Sequence, residues 1–392
     1  MKESDEMAIF DGYNVYEKLG VTPLINAAGT STNIGGSNPS DRVMQAMLDA
    51  NRNFVDMGDL LDKSGEYIAE QLGVEAAYPT SGGAAALVLS SAACIAGIDQ
   101  TLIGELPEAG IKKNKILIQK SHRNSFDRCF AIAGARVIEV GVNSSWTANE
   151  LDKAIDEETA AVAYLNPFYY DVSNEPLQET VNVSRNRGIP VIIDASCSIY
   201  PLARFRDIAQ MGDLVCFGGK YFNASHATGF LCGRKDLVEA AVAHGFIGLP
   251  NRSGKHGVGR PMKMDRNQII GLVAALDEWF TMNHEDRFQK YEHNLLHIKD
   301  KLSGLSGVSS KLVFESLFTG VRLQIDINPK ESLRSAEQIF TELLGGIPKI
   351  WVGFREYWHG EHDDDCIQIY ANTLFEGEEV VIADRLCELL TP

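Results

Sequence analysis

From about residue 75 to residue 232 the chain alternates short apolar runs with longer amphipathic ones, and this alternation limits the possible folds more than any other feature. Ala76–Pro79 precedes a helical stretch, Gly82–Gly97; Lys115–Gln119 precedes Ser125–Ala133; Arg136–Val140 precedes Ala148–Asp156; Ala161–Leu165 precedes Gln178–Arg187. Pro190–Asp194, Leu214–Phe217 and Gly229–Cys232 read as further strands. Strands that are apolar on both faces, with helices between them, predict a mostly parallel sheet covered on both sides. The expected class is α/β.

The flanking segments read differently. Residues 1–40 predict a polar arm and an ordered, irregular loop over Pro23–Gly36. Ser40 is placed to cap a helix through Val43, Met47 and Leu48, and a second helix fits Leu60–Leu72. A large α/β domain is expected over 41–262, although 245–263 is rich in glycine and carries Arg252, Lys255, Arg260 and Lys263, which predicts a mobile connection. Over 263–305 the 3–4 spacing of Ile269, Ile270, Val273, Leu276, Trp279 and Phe280 predicts one long connecting helix. Residues 306–392 predict a small C-terminal α+β domain: strand Val321–Ile327, helix Ser335–Leu344, strands Ile350–Val352 and Ile367–Tyr370, and a final helix Glu376–Leu390.

Charge and cysteine content narrow the partners. With 36 basic and 53 acidic side chains the 392 residues carry a formal charge of −17, which repels a nucleic-acid backbone unless a local basic patch overrides it. Seven scattered cysteines, none in a CxxC pair, read as reduced thiols in a cytoplasmic protein. The acidic N-terminus has no apolar signal region, and no run is apolar enough to span a membrane.

Three elements carry possible chemistry. Tyr78–Leu87 reads as a strand, then the turn Ser81-Gly82-Gly83, then a helix, whose exposed N–H groups suit a phosphate. Taken alone it is equally a helix cap with close-packing glycines. Asp194 ends an apolar strand where α/β sheets place their ligands, able to meet a cationic ring nitrogen or to cap a turn. Lys220 follows a strand and two glycines; it is either a surface residue or an amine desolvated enough to attack an aldehyde. Phosphate cup, strand-end acid and strand-end lysine, in that order, meet the needs of pyridoxal 5'-phosphate: an anion site, a partner for the pyridine nitrogen, and an amine for the aldehyde. The acidic turn His359–Cys366 mixes hard and soft ligands without a standard zinc spacing, so no metal site is expected.

The order and spacing resemble the fold-type I, aspartate aminotransferase-like pyridoxal phosphate enzymes, and within them the selenocysteine synthase-like branch that includes the D-glucosaminate 6-phosphate ammonia-lyases. The resemblance runs from Tyr16–Val21 and Ile25–Thr30 through Asp62–Ile68, Thr80–Leu87, Asp194 and Gly219-Lys220 to Gly259–Lys263 and Glu376–Glu379. It implies Lys220 as the lysine bonded to the cofactor, Asp194 as the pyridinium partner, and Ser81, Gly82 and Gly83 as the phosphate cup. It also puts His122 over the cofactor ring, with Ser196 and His226 bonding the cofactor or its phosphate. Asn26, Thr30, Arg260 and Lys263 then face the substrate. A homodimer or larger assembly with interfacial sites is implied too.

Selenocysteine synthases carry an extra N-terminal tRNA-binding region, whereas here the shared core begins by residue 16 and the charge is −17. The expectation is a lyase removing a β-hydroxyl from a small amino acid, a sugar amino acid such as D-glucosaminate 6-phosphate first, giving a 2-keto acid and ammonia. Selenium transfer, aldol cleavage, transamination or racemisation would use the same residues. A non-catalytic protein on the same fold is the remaining alternative.

Overall fold

The computed structural model describes residues 15–108, 110–142, 145–166, 175–248, 256–314, 319–354 and 365–391. The N-terminal arm before residue 15, Arg252, Lys255 and the His359–Asp364 part of the acidic turn lie outside them. In chain order the strands are β1 (Leu24–Ala27), β2 (Ala76–Thr80), β3 (Lys115–Gln119), β4 (Arg136–Val140), β5 (Thr159–Leu165), β6 (Val191–Asp194), β7 (Leu214–Gly218), β8 (Gly229–Gly233), β9 (Val308–Phe314), β10 (Val321–Ile327), β11 (Lys349–Val352) and β12 (Cys366–Tyr370).

Two compact units divide the described chain. Gly35–Met282 forms one, and the chain before Gly35 joins the chain from Asn283 onward in the other. In the first, seven described strands form a sheet in the order β2-β8-β7-β6-β5-β3-β4. β3, β4, β5, β6 and β7 run parallel, and β8 runs antiparallel to both of its neighbours. The period of two in each strand divides the core. Val191, Ile193, Val215 and Phe217 point to one face, with Phe205 and Trp279. Ile192, Leu214 and Cys216 point to the other, with Leu87 and Leu89 of the helix Gly83–Ala96. That helix is apolar nearly all round, as a helix buried on its sheet must be.

In the second unit β9, β10 and β12 form an antiparallel sheet, with β10 in the middle. Helices His284–Lys301, Ala336–Gly345 and Glu378–Leu390 contribute Leu295, Ile339, Leu343 and Leu386 to its core. Ser40 caps the helix Asp41–Asn51 by accepting the Val43 N–H, as its position predicts. Among the described residues no helix is long and apolar enough to cross a membrane.

Three expectations change. Leu24–Ala27, expected within an irregular loop, is a strand paired in parallel with β11, Leu24 opposite Lys349. The stretch 263–305 is two helices, Arg266–Thr281 and His284–Lys301. Met282 turns to extended backbone, and Asn283 caps the second helix by accepting the Glu285 N–H. The described end of the expected mobile connection is packed: Gly259 donates its N–H to the His244 carbonyl, and Val258 and Met262 lie on Val88 and Ala92.

Candidate active site

The pairing register gathers the chemistry at one sheet edge. Gly229 of β8 stands opposite both Thr80 and Gly218, while Asp194 stands opposite Leu165 and Cys216. The ends of β2, β5, β6 and β7 therefore lie side by side, where parallel sheets bind ligands.

The Ser81-Gly82-Gly83 turn is half-buried and opens the helix Gly83–Ala96, with Gly82 at φ 98° as its N-cap and no side-chain cap on the first N–H groups. Gly229 lets the turn approach: a Cβ there would stand 2.7 Å from the Gly82 carbonyl carbon and 2.8 Å from the Gly83 nitrogen. A Cβ on Gly83 would stand 3.1 Å from Oγ of Ser196, so the cup touches the next element of the site.

Ser196 donates its hydroxyl to Oδ1 of Asp194 at 2.5 Å and its N–H to the same oxygen at 3.2 Å. Burial pushes the Asp194 carboxyl above its ordinary range, and these two hydrogen bonds work the other way. A half-buried carboxylate held in this way gains from a cation placed against it. The Ser196 carbonyl accepts the Gly218 N–H, tying the Asp194 turn to the end of β7 and so to Lys220. Lys220 sits on the 3-10 turn Gly219–Phe222, its Nζ 5.0 Å from the centre of the Tyr221 ring. Burial lowers the basicity of its amine.

His122 lies in a cleft with Asp194. It is 6% exposed on a 3-10 turn after β3 and shares a cleft with Leu87, Phe130, Tyr164, Leu165 and Asp194. Its Nδ1 accepts the Leu165 N–H at 3.2 Å, and the Tyr164 ring meets it edge-on at 4.5 Å. Burial lowers its pKa to about 4, so the ring is neutral. His226 lies beside Lys220, its basicity lowered by burial and then by the lysine charge.

The other predicted residues are placed differently. The Asn26 amide is spent on its own loop, donating to the Gly29 carbonyl and accepting the Ala28 N–H; Asn26 and Thr30 belong to the other compact unit. Arg260 is half-buried and Lys263 exposed, and neither forms an ion pair among the described residues. Tyr164, Leu165, Tyr221, Gly36 and Ser37 join the site without having been singled out. Only the Gly35-Gly36 pair left a local trace, as a turn signal in the loop.

The residues fit pyridoxal phosphate: an uncapped helix N-terminus reached through glycine for an anion, a half-buried carboxylate that can meet a cation, a desolvated amine, and a flat ring that shares a cleft with the carboxylate.

No family model matches the chain. It is 32% identical over 383 residues to the 5'-C-glycyluridine monooxygenase-decarboxylase of a Streptomyces species, covering 96% of this chain and 92% of that one. It is 27% identical to the D-glucosaminate-6-phosphate ammonia lyase of Salmonella typhimurium, covering 96% and 98%. A solved D-glucosaminate-6-phosphate ammonia-lyase superposes with a TM-score of 0.79 at 26% identity, covering 97% and 99%. The L-seryl-tRNA(Sec) selenium transferase of Rhizobium meliloti is 27% identical over 281 residues, 65% of this chain and 55% of that one. With this sheet, this site and these relatives, the chain belongs to the selenocysteine synthase-like branch of the fold-type I pyridoxal phosphate enzymes.

Proposed function

We propose that the protein is a lyase that eliminates a β-hydroxyl from a small amino acid, with D-glucosaminate 6-phosphate or a close sugar amino acid as substrate and a 2-keto acid and ammonia as products. Lys220 carries this reading: it follows the strand end tied to the Asp194 turn, and burial lowers the basicity of its amine, the direction that favours a base for the substrate Cα proton. The full-length likeness to an ammonia-lyase structure supports elimination over the other reactions open to such a site.

When bound, pyridoxal phosphate supplies an electron sink for negative charge developing at the substrate Cα. The N–H groups of the Ser81–Gly83 turn hold its phosphate. Asp194 keeps a proton on the ring nitrogen, and Ser196, through its two hydrogen bonds, fixes the orientation of that carboxylate. His122, in the cleft with Asp194, would cover the ring and exclude water from it. Lys220 takes the Cα proton on Nζ and returns it to the departing groups. Arg260 and Lys263, without acidic partners among the described residues, are assigned to the anionic end of the substrate.

A second reading rests on the higher identity, 32%, to a monooxygenase-decarboxylase. Under it the Cα loses its carboxylate instead of a proton, and oxygen is consumed. Purified protein supplied with D-glucosaminate 6-phosphate separates the two. Ammonia and 2-keto acid released in equal amounts without oxygen uptake support the lyase. No product from this substrate, with oxygen uptake and carbon dioxide release from 5'-C-glycyluridine, overturns it.

A further inference from the structure

Beside Lys220 the structure holds one hydrogen-bonding group, on His226, and a second on Ser37, the residue that follows the glycine touching both Lys220 and His226; the proposed cofactor contacts use neither. Gly36 is buried in the left-handed region at φ 72°. A Cβ on it would stand 2.4 Å from Nδ1 of His226 and 3.1 Å from Cδ of Lys220, so its backbone lies against both side chains. Nδ1 of His226 and Oγ of Ser37, the residue after Gly36, are both buried without a hydrogen-bond partner. A buried polar group of this kind is destabilising until something takes up its hydrogen bond. Gly36, Ser37, Lys220 and His226 all belong to the compact unit Gly35–Met282.

We propose that Ser37 and His226 form a hydrogen-bonding subsite for a hydroxyl group of the substrate, seated beside Lys220. This rests on the reading of Lys220 as the residue that works at the substrate Cα. A group bound against the lysine stem is then close to that carbon, which places the hydroxyl at or near the β-position. The chemistry of the two groups selects the ligand. A serine hydroxyl both donates and accepts; a neutral imidazole has one donor and one acceptor. Burial and then the neighbouring lysine charge lower the basicity of His226. Such a pair matches a hydroxyl, which also does both, whereas a phosphate or carboxylate accepts only and is better served by cations. The resemblance assigns His226 to the cofactor; here it reads the substrate instead.

Binding, measured by the change in visible absorbance of the cofactor-loaded protein, tests this with serine and alanine, both hands of each. The hand of serine that binds is expected to do so about tenfold more tightly than alanine of the same hand, because a site built around a hydroxyl rejects the analogue lacking it. Ser37→Ala and His226→Leu each bring the ratio to within about twofold, with alanine binding and cofactor affinity unchanged. A ratio that survives in both variants overturns the proposal, as does a failure of serine to bind. Loss of cofactor affinity in His226→Leu also overturns it, by returning the ring to the cofactor phosphate. The lyase reading fails separately: ammonia release without serine preference sinks the subsite alone, and serine preference without ammonia release sinks the lyase alone.

Discussion

Leu165 gives its backbone N–H to Nδ1 of His122 across 3.2 Å. With Nδ1 accepting, the proton of this neutral ring sits on Nε2, and the ring is fixed in orientation by a strand end and by the edge of Tyr164. A flat, uncharged ring held over a cleft serves by shape. His122→Phe should therefore keep cofactor affinity within about threefold while losing about 1–2 kcal/mol of stability, because the Leu165 N–H is left without an acceptor. His122→Ala should lower cofactor affinity at least tenfold. Reconstitution followed by visible absorbance, with urea unfolding alongside, checks both; equal affinity in the two variants would remove His122 from the cofactor face.

Acid stability follows from two buried histidines. His122 and His244 both have pKa values lowered to about 4 by burial, and His244 donates Nε2–H to the Gly97 carbonyl at 3.0 Å. An unfolded histidine titrates near 6.5. Between pH 6.5 and 4 the unfolded chain therefore takes up protons that the folded chain refuses, and stability falls as pH falls through that window. Each histidine contributes about 3 kcal/mol to the fall. His244→Gln, which keeps a donor for Gly97, should give a shallower decline in urea stability from pH 6.5 to 4; an unchanged slope would contradict this.

Gly35 and Gly36 make a controlled comparison. Both have positive φ, 91° and 72°, but a Cβ on Gly35 meets nothing within 4 Å, while one on Gly36 meets His226 and Lys220. Gly35→Ala should cost about 1 kcal/mol from backbone conformation alone and leave the cofactor spectrum unchanged. Gly36→Ala should displace the lysine stem and lower turnover at least tenfold. Equal spectra and turnover in the two variants would mean that the contact with Lys220 has no consequence.

Ser196 offers a test of the second layer of the site. Without its hydroxyl the Asp194 carboxyl loses the 2.5 Å hydrogen bond and rises further above its ordinary range. Ser196→Ala should weaken cofactor binding about tenfold and weaken it most at low pH, where a raised carboxyl is the first to be protonated. A binding curve that shifts equally at all pH values would show that Ser196 acts by contact with the cofactor instead.

The legible parts of the fold were those with local signals. β3, β4 and β10 keep their predicted bounds because their apolar runs are closed by turn residues, and the helix Asp41–Asn51 begins where Ser40 marks it. Leu24–Ala27 was not legible as a strand, since its pairing partner, Lys349–Val352, lies at the far end of the chain. Val308–Phe314 has a weak strand signal because it is an edge strand with exposed residues along it and two serines near its start. The break at Met282 had a signal, Asn283 followed by Glu285 and Asp286, that the continuous apolar spacing before it obscured. In the site, Asp194 and Lys220 stood out because strand ends are visible in sequence. The bond from Ser196 back to Asp194, the Leu165 N–H on His122 and the approach of Gly36 to Lys220 depend on side-chain direction and long-range folding, which no local pattern encodes.

The role of Lys220 can be measured directly. The protein is loaded with pyridoxal phosphate, reduced with borohydride to fix any bond between cofactor and lysine, digested and examined by mass spectrometry. The expected result is the cofactor mass on the peptide bearing Lys220, at near one per chain, and neither that mass nor the visible absorbance in Lys220→Ala. Cofactor fixed to a different lysine, or visible absorbance retained in Lys220→Ala, would contradict it.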